Sequence, residues 1–280
     1  MDVKSQSLGN VAMPALQEVE PPRDGWGSFA WFLVKLVVLV LAFRTLAFAP
    51  FSIPSESMLP RLINGDYLLA AKWPYGFSRH SLPFDLPLPG GRVLGGLPER
   101  GDVVIFKHPV DGRDYIKRVI GLPGDRVAVV AGQVVLNGTP VTREPVADFT
   151  LPLSANTDCG WAGLRSGLPD GSETCTYSRL RETLPDGASY EVLDFGPSPG
   201  DSFAAVTVPE GTLFVMGDNR DNSRDSRWPA AAGDAVGMVP LDRLVGRATI
   251  IVWSTDGSAE WLKPWTWFSA TRWDRIGDSL

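Results

Sequence analysis

Three short segments of the chain carry side chains whose types and spacing could do chemistry. The first is Pro54-Ser-Glu-Ser-Met-Leu-Pro60, which offers two hydroxyls, Ser55 and Ser57. The second is Asp114-Tyr-Ile-Lys-Arg-Val-Ile-Gly-Leu-Pro-Gly-Asp125. The third is Gly217-Asp-Asn-Arg-Asp-Asn-Ser-Arg-Asp-Ser-Arg227. Taken singly, Ser-rich and Gly/Asp/Asn-rich stretches are ordinarily turns, and a lysine in a strand is ordinarily a solvated edge charge. Lys117 departs from that pattern. Strand alternation puts Tyr115, Lys117 and Val119 on one face, with Ile116, Arg118 and Ile120 on the other, so one amine shares a face with apolar neighbours. A hydroxyl nucleophile also needs a base, and the chain holds only two histidines, His80 and His108. His108 precedes Pro109, His80 lies in a loop-like stretch, and neither sits in a Ser-His partner pattern.

The elements that must position these segments form three parts. Trp26–Phe48 reads WGSFAWFLVKLVVLVLAFRTLAF, with only Lys35 and Arg44 charged. A helix of about 20 such residues spans the hydrocarbon core. Lys35 and Arg44 can snorkel, and Trp26 and Trp31 suit an interfacial belt. A single transmembrane anchor is the expected reading. A cleaved signal peptide and a buried soluble helix are the alternatives. Ala47-Phe48-Ala49 resembles a cleavage site, but Pro50 directly after it makes the bond a tertiary amide. The charge flanks give only a weak orientation signal. Residues 1–25 are polar and Pro-containing and read as a tail.

After Pro50 the pattern becomes short β-branched runs separated by turns. Tyr67–Ala71, Asp102–Phe106, Tyr115–Ile120, Arg126–Val130, Gln133–Leu136, Leu213–Met216 and Ala248–Val252 read as strands. Asn137-Gly138 and Pro123-Gly124-Asp125 supply turns. The expected class is mainly β, with an antiparallel, barrel-like core. Two stretches leave this core: the Pro/Gly/Leu-rich Tyr75–Glu99, and residues 138–205, polar and turn-rich before Tyr190–Phe195. The second holds Cys159 and Cys175. They are either two unrelated thiols or a disulfide closing a loop of about 17 residues, worth on the order of 3 kcal/mol and requiring an oxidising compartment. The C-terminal Trp253, Trp261, Trp265, Trp267, Phe268 and Trp273 are either core aromatics or membrane-interface side chains.

Composition sets the outer limits. The 280 residues are 44% apolar and 21% charged, with 26 basic against 32 acidic side chains and a net charge of −6. That length supports a sizeable core, and the apolar content is too high for a disordered chain. The acidic balance argues against a nucleic-acid partner. Two histidines and two cysteines cannot build a Cys-rich or multinuclear metal site, so neither metal nor cofactor is expected.

Together the three segments resemble the type I signal peptidase family, the membrane-bound leader peptidases. Ser-x-Ser-Met-x-Pro follows the anchor. Arg100-Gly101-Asp102-Val103-Val104, Tyr-Ile-Lys-Arg, Gly-x-Pro-Gly-Asp and the Asn137-Gly138 turn come next in family order, and GDNRDNSRDSR is the most specific run. The likeness covers about Phe51–Leu136 and Leu213–Val252, plus the anchor. It implies a Ser/Lys dyad, with Ser57 as nucleophile and Lys117 as general base. A free lysine titrates near about 10.4, so a base near pH 7 needs a shift of about 3 units, on the order of 4 kcal/mol, supplied by burial without a nearby carboxylate. The resemblance further implies that Ser223 hydrogen-bonds Lys117 and that Asp225 organises Arg118 and Arg227. Gly217 would leave room for the dyad. The oxyanion would be held by the Ser57 N–H and the Ser55 hydroxyl. Phe51, Ile53, Leu62, Tyr115 and Ile116 would bind the small apolar substrate side chains.

The implied reaction is cleavage of exported preproteins after small residues, Ala-x-Ala in type, by an enzyme in the bacterial inner membrane whose catalytic part is periplasmic. Its partners would be preproteins carrying signal peptides, and membrane lipid. The corresponding division is a cytoplasmic tail (1–25), an anchor (26–49), a catalytic β core (50–136 and 206–260), an inserted β-rich subdomain (137–205) and a membrane-proximal aromatic tail (261–280). Two residues depart from the family pattern. Glu56 stands where a small residue is common, and Arg61 follows Pro60 where Thr is usual. A Glu56 carboxylate facing Lys117 would raise the lysine pKa, so Glu56 is expected to point into solvent. A self-cleaving repressor shares the dyad but needs a DNA-binding helix-turn-helix, which residues 1–25 cannot supply. A non-catalytic tethered binding module is the remaining alternative.

Overall fold

In a computed structural model the described residues are 25–81, 92–260 and 262–280. The polar tail before Gly25, Trp261, and most of the Pro/Gly/Leu-rich stretch after Ser81 fall outside them. The chain divides into two compact units, one ending at Leu41 and one running Ala42–Leu280. Helix α1, Trp26–Leu46, is 21 residues long with a mean hydropathy of 2.1 in its most apolar window, long and apolar enough to cross a membrane. None of its residues is buried against protein. A side-chain surface this apolar, left uncovered by protein, is what a helix solvated by lipid requires.

The rest is built almost entirely from strands. They are β1 (Phe48–Ser52), β2 (Asp66–Ala71), β3 (Phe77–Ser78), β4 (Arg92–Val93), β5 (Val103–Lys107) and β6 (Asp114–Gly121). Then come β7 (Arg126–Val130), β8 (Gln133–Leu136), β9 (Thr139–Pro140), β10 (Thr142–Pro152), β11 (Leu164–Gly167) and β12 (Glu173–Thr183). The last are β13 (Ser189–Leu193), β14 (Ser202–Thr207), β15 (Thr212–Met216), β16 (Val239–Pro240) and β17 (Leu244–Ser254), followed by one short helix, α2 (Trp265–Ser269). Each expected strand is present. The largest sheet runs β1-β2-β17-β5-β6-β15-β16, a second runs β14-β7-β8-β9, and a third joins β10, β11 and β13 to the central β12. Every named pairing is antiparallel.

The sheets pack through β-branched and aromatic side chains, as the alternation requires. Ile53, Met58, Leu62, Leu68, Ile105, Ile116 and Ile251 form one cluster. Ile120, Val127, Val129, Val134, Phe214 and Met216 form another. The 138–205 stretch is more regular than its polar, turn-rich sequence suggests, because β10 and β12 are long strands paired over most of their length. β10 exposes most of its residues and buries only Leu151, so no apolar alternation marks it. Strands β9 and β14, which lie mostly inside that stretch, pair with β8 and β7 instead. Cys159 and Cys175 form a disulfide. The bridge ties the loop before β11 to the middle strand of the third sheet.

Candidate active site

The three segments converge. Ile53 leaves β1 with its side chain buried and its backbone pinned at both ends: its N–H donates to Asp66 O (2.8 Å), and its C=O accepts from Gly65 N (3.0 Å). Met58 and Leu59 sink into the core at 0% and 1% exposure and fix the turn that carries Ser57. On β6, Lys117 reaches the same point. Its Nζ lies 2.7 Å from Ser57 Oγ and donates to Ile116 O at 3.0 Å. Lys117 is 4% exposed. Burial holds its pKa down to about 8, against a smaller upward pull from Asp225 and Asp218. A buried amine that gives up its proton near pH 8, next to a serine hydroxyl, is the arrangement a general base and nucleophile need.

A groove of about 430 Å³ opens onto this pair. Phe51, Ile53, Tyr115 and Ile116 line it, together with Ser55, Ser57 and Lys117. Leu62 does not; it is fully buried in the core beside Met58 and Ile53. An apolar residue four positions past Met58 lies on the inner side of the turn, away from the groove. One edge of β6 faces the groove unpaired. β5 pairs with Asp114–Arg118, whereas β15 pairs only from Arg118 onward. Ser55 Oγ stands 3.4 Å from Ser57 Oγ, and among the described residues the Ser57 N–H has no protein acceptor.

The 217–227 loop lies against the back of Ser57. A Cβ on Gly217 would stand 2.3 Å from Ser223 Oγ and 2.5 Å from Ser57 O, so only glycine fits. Three of the expected contacts differ. Ser223 Oγ is buried beside Gly217 but makes no hydrogen bond, so the expected bond to Lys117 is absent. Asp225 accepts from Arg227 Nε and Nη2, both at 2.9 Å, and from Gly217 N. It does not organise Arg118, whose guanidinium forks onto Asp218 at 2.7 and 2.6 Å and stacks over Tyr190. Asp218 lies nearer because Met216, two residues before it, is the register partner of Arg118. Glu56 does not act on Lys117, but it points only partly into solvent. It is partly covered, accepts from Asn222 Nδ2 at 3.3 Å and from the Asp158 backbone, and burial raises its pKa. Neither group perturbs the other: the charges acting on Lys117 are Asp225 and Asp218, and Glu56 is perturbed by burial and Asp158.

Sequence reasoning did not single out Asp218, Asn219, Arg220 or Glu182. Arg220 and Glu182 form a buried fork–fork pair between the loop and β12, one arm at 2.6 Å. The Arg118–Asp218, Arg220–Glu182 and Arg227–Asp225 pairs thus lie behind the dyad, each with its charge matched, which is how buried ions are tolerated. Arg61 and Arg275 are tied to the C-terminal turn. Arg61 bonds Ser279 O, and Arg275 forks onto Asp66. His108 is buried and bonded to Ala235 O and to backbone N–H groups of its own turn. No cluster able to hold a metal occurs among the described residues.

A protein-family model described as signal peptidase, peptidase S26 matches residues 26–253. A signal peptidase I of Rickettsia felis is 32% identical over 239 residues, covering 83% of this chain and 80% of its own. A signal peptidase I of Rickettsia rickettsii is 33% identical over the same length and the same shares. A solved signal peptidase I from Enterococcus faecalis aligns with 54% of this chain and 97% of its own at 23% identity, with a TM-score of 0.29, too low to establish a shared fold.

Proposed function

The chain belongs to the signal peptidase family, peptidase S26, and on that premise we propose that Ser57 and Lys117 are its catalytic dyad. As a family member it is a serine endopeptidase that removes signal peptides from preproteins. The observation that carries the finer reading is the 2.7 Å contact between Ser57 Oγ and a buried Lys117 amine lining an apolar groove. Ser57 Oγ attacks the scissile carbonyl and Lys117 accepts its proton. The leaving amine takes that proton, and water then hydrolyses the acyl-enzyme. The Ser57 N–H and the Ser55 hydroxyl face the developing oxyanion.

The preprotein lies extended along the free edge of β6 and pairs with its backbone. Phe51, Ile53, Tyr115 and Ile116 give the groove apolar walls, which supports a preference for small apolar side chains of the Ala-x-Ala type. Helix α1 anchors the chain as a single pass in the bacterial inner membrane. The Cys159–Cys175 disulfide supports placing the body on the oxidising, periplasmic side. In this reading residues 1–25 are a cytoplasmic tail, and the 137–205 segment is a subdomain inserted into the catalytic core. The exposure of Trp265, Phe268 and Trp273 supports a C-terminal tail that lies near the lipid interface. The test is processing of a preprotein in detergent by the wild-type chain, Ser57→Ala and Lys117→Ala. Both variants are expected to lose at least about 10³-fold in kcat. Retained cleavage by either would remove that residue from the dyad.

A further inference from the structure

We infer that Asn219 is a positioning residue that sets the direction of the Ser57 N–H, the backbone donor to the oxyanion. The inference rests on Ser57 being the nucleophile. Asn219 touches the nucleophile's peptide twice. Its Nδ2 donates to Glu56 O at 3.2 Å, and its own N–H donates to Ser57 O at 3.1 Å. Only the amide nitrogen can face the Glu56 carbonyl, because Oδ1 there would set acceptor against acceptor. A trans peptide points its C=O and N–H in opposite directions. Holding the Glu56 carbonyl toward Asn219 therefore turns the Ser57 N–H away from the 217–219 segment, where no acceptor among the described residues takes it up. Leu59 N also donates to Glu56 O, at 3.1 Å, so the turn and Asn219 together fix the plane.

The inserted sheet holds Asn219 in place. The Arg220 N–H donates to Leu193 O and the Leu193 N–H to Asp218 O, both at 2.9 Å, which clasps the backbone on either side of Asn219. The Arg220 guanidinium is forked onto Glu182 of β12. Asn219 itself is 2% exposed, so it has no room to swing. When Ser57 Oγ bonds to the substrate carbonyl carbon, the carbonyl π pair moves onto oxygen and the proton passes to Lys117 Nζ. A donor already aimed at that oxygen needs no rearrangement at that moment.

The experiment is steady-state kinetics on a preprotein in detergent with full-length Asn219→Ala and Asn219→Asp, alongside Ser57→Ala. A peptide aldehyde and a cleaved product peptide serve as ligands. Both Asn219 variants are expected to lose about 10- to 100-fold in kcat with KM unchanged. Affinity for the aldehyde, which forms a tetrahedral adduct, should fall by the same factor while the product peptide binds as before. Unchanged kcat, or a loss shared equally by product-peptide binding, would overturn the inference. So would failure of both variants to fold, which would make Asn219 structural only. Activity in Ser57→Ala would instead sink the assignment of the nucleophile, so the two failures are distinct.

Discussion

Lys117 and Arg118 are neighbours on β6, equally hidden from water, and opposite in their electrostatic fate. Lys117 is 4% exposed and Arg118 7%. On the groove side Lys117 has a hydroxyl and a carbonyl as partners and no carboxylate within bonding distance, and burial brings its pKa down to about 8. On the other face Arg118 is forked onto Asp218; burial alone would lower its pKa, but the charge and hydrogen bonds of Asp218, with Tyr190, together raise it. Burial is common to both, so it is the partner that decides which charge persists. Lys72 sharpens the point. It too is buried and held down to about 8, but its amine is bonded to the backbone carbonyls of Arg44 and Ser81. A lowered lysine pKa alone does not make a base. Lys117 adds a serine hydroxyl and an open groove.

The largest effect is expected where the paired face loses its partner. Asp218→Asn leaves the Arg118 guanidinium buried with only neutral acceptors. Breaking a buried pair from one side typically costs about 3–5 kcal/mol. Chemical denaturation of the detergent-solubilised chain should show a loss of that size. A change within about 0.5 kcal/mol would mean that Arg118 does not depend on Asp218 for its charge.

How much of this was legible in the sequence depended on the kind of signal. β5, β6, β7 and β15 were read correctly because each alternates or runs continuously apolar between turn residues. β10 was missed as a strand because its residues are mostly exposed and a strand without a buried face leaves no period. The Ser57–Lys117 pair was reached through motifs, and the face-sharing of Lys117 with Tyr115 and Val119 was readable from alternation alone. Partners across the fold were not. Glu182 meets Arg220 only because β12 crosses behind the loop, and Asp218 rather than Asp225 meets Arg118 because of the β6–β15 register. Leu62 enters through the family resemblance, and a motif match cannot tell the inner side of the turn, where Leu62 is buried, from the outer.

On the unpaired face the opposite sign is expected. Folding lowers the Lys117 pKa from about 10.4 to about 8, so at pH 7 the folded state must bury an ammonium that water solvates in the unfolded chain, a penalty on the order of 3 kcal/mol. Between pH 8 and about 10.4 the unfolded chain binds more protons, and the stability of the wild type rises with pH. Lys117→Met removes this term. It should be more stable than wild type at pH 7 by up to about 3 kcal/mol, less the lost bond to Ser57, with the advantage fading above pH 8. A variant less stable than wild type at pH 7 would mean that the amine is held charged by a partner, as Arg118 is.

The smallest effect concerns Glu56, the carboxylate next to the nucleophile in sequence. Because the base must be neutral, kcat/KM should rise with pH and level off above about 8. A carboxylate acting on Lys117 would push that limb upward, and its removal would bring the limb back down. The Glu56 side chain instead faces Asn222 and the Asp158 backbone, and the charges acting on Lys117 are Asp225 and Asp218. Glu56→Gly should therefore leave the acid limb within about 0.3 pH units of wild type and kcat within a few fold, since only its half-covered contacts with Asn222 and the Asp158 backbone are lost. A downward shift of a full unit would place the Glu56 charge on the dyad side and erase the distinction between the two faces of β6 that keeps carboxylates out of bonding distance of Lys117.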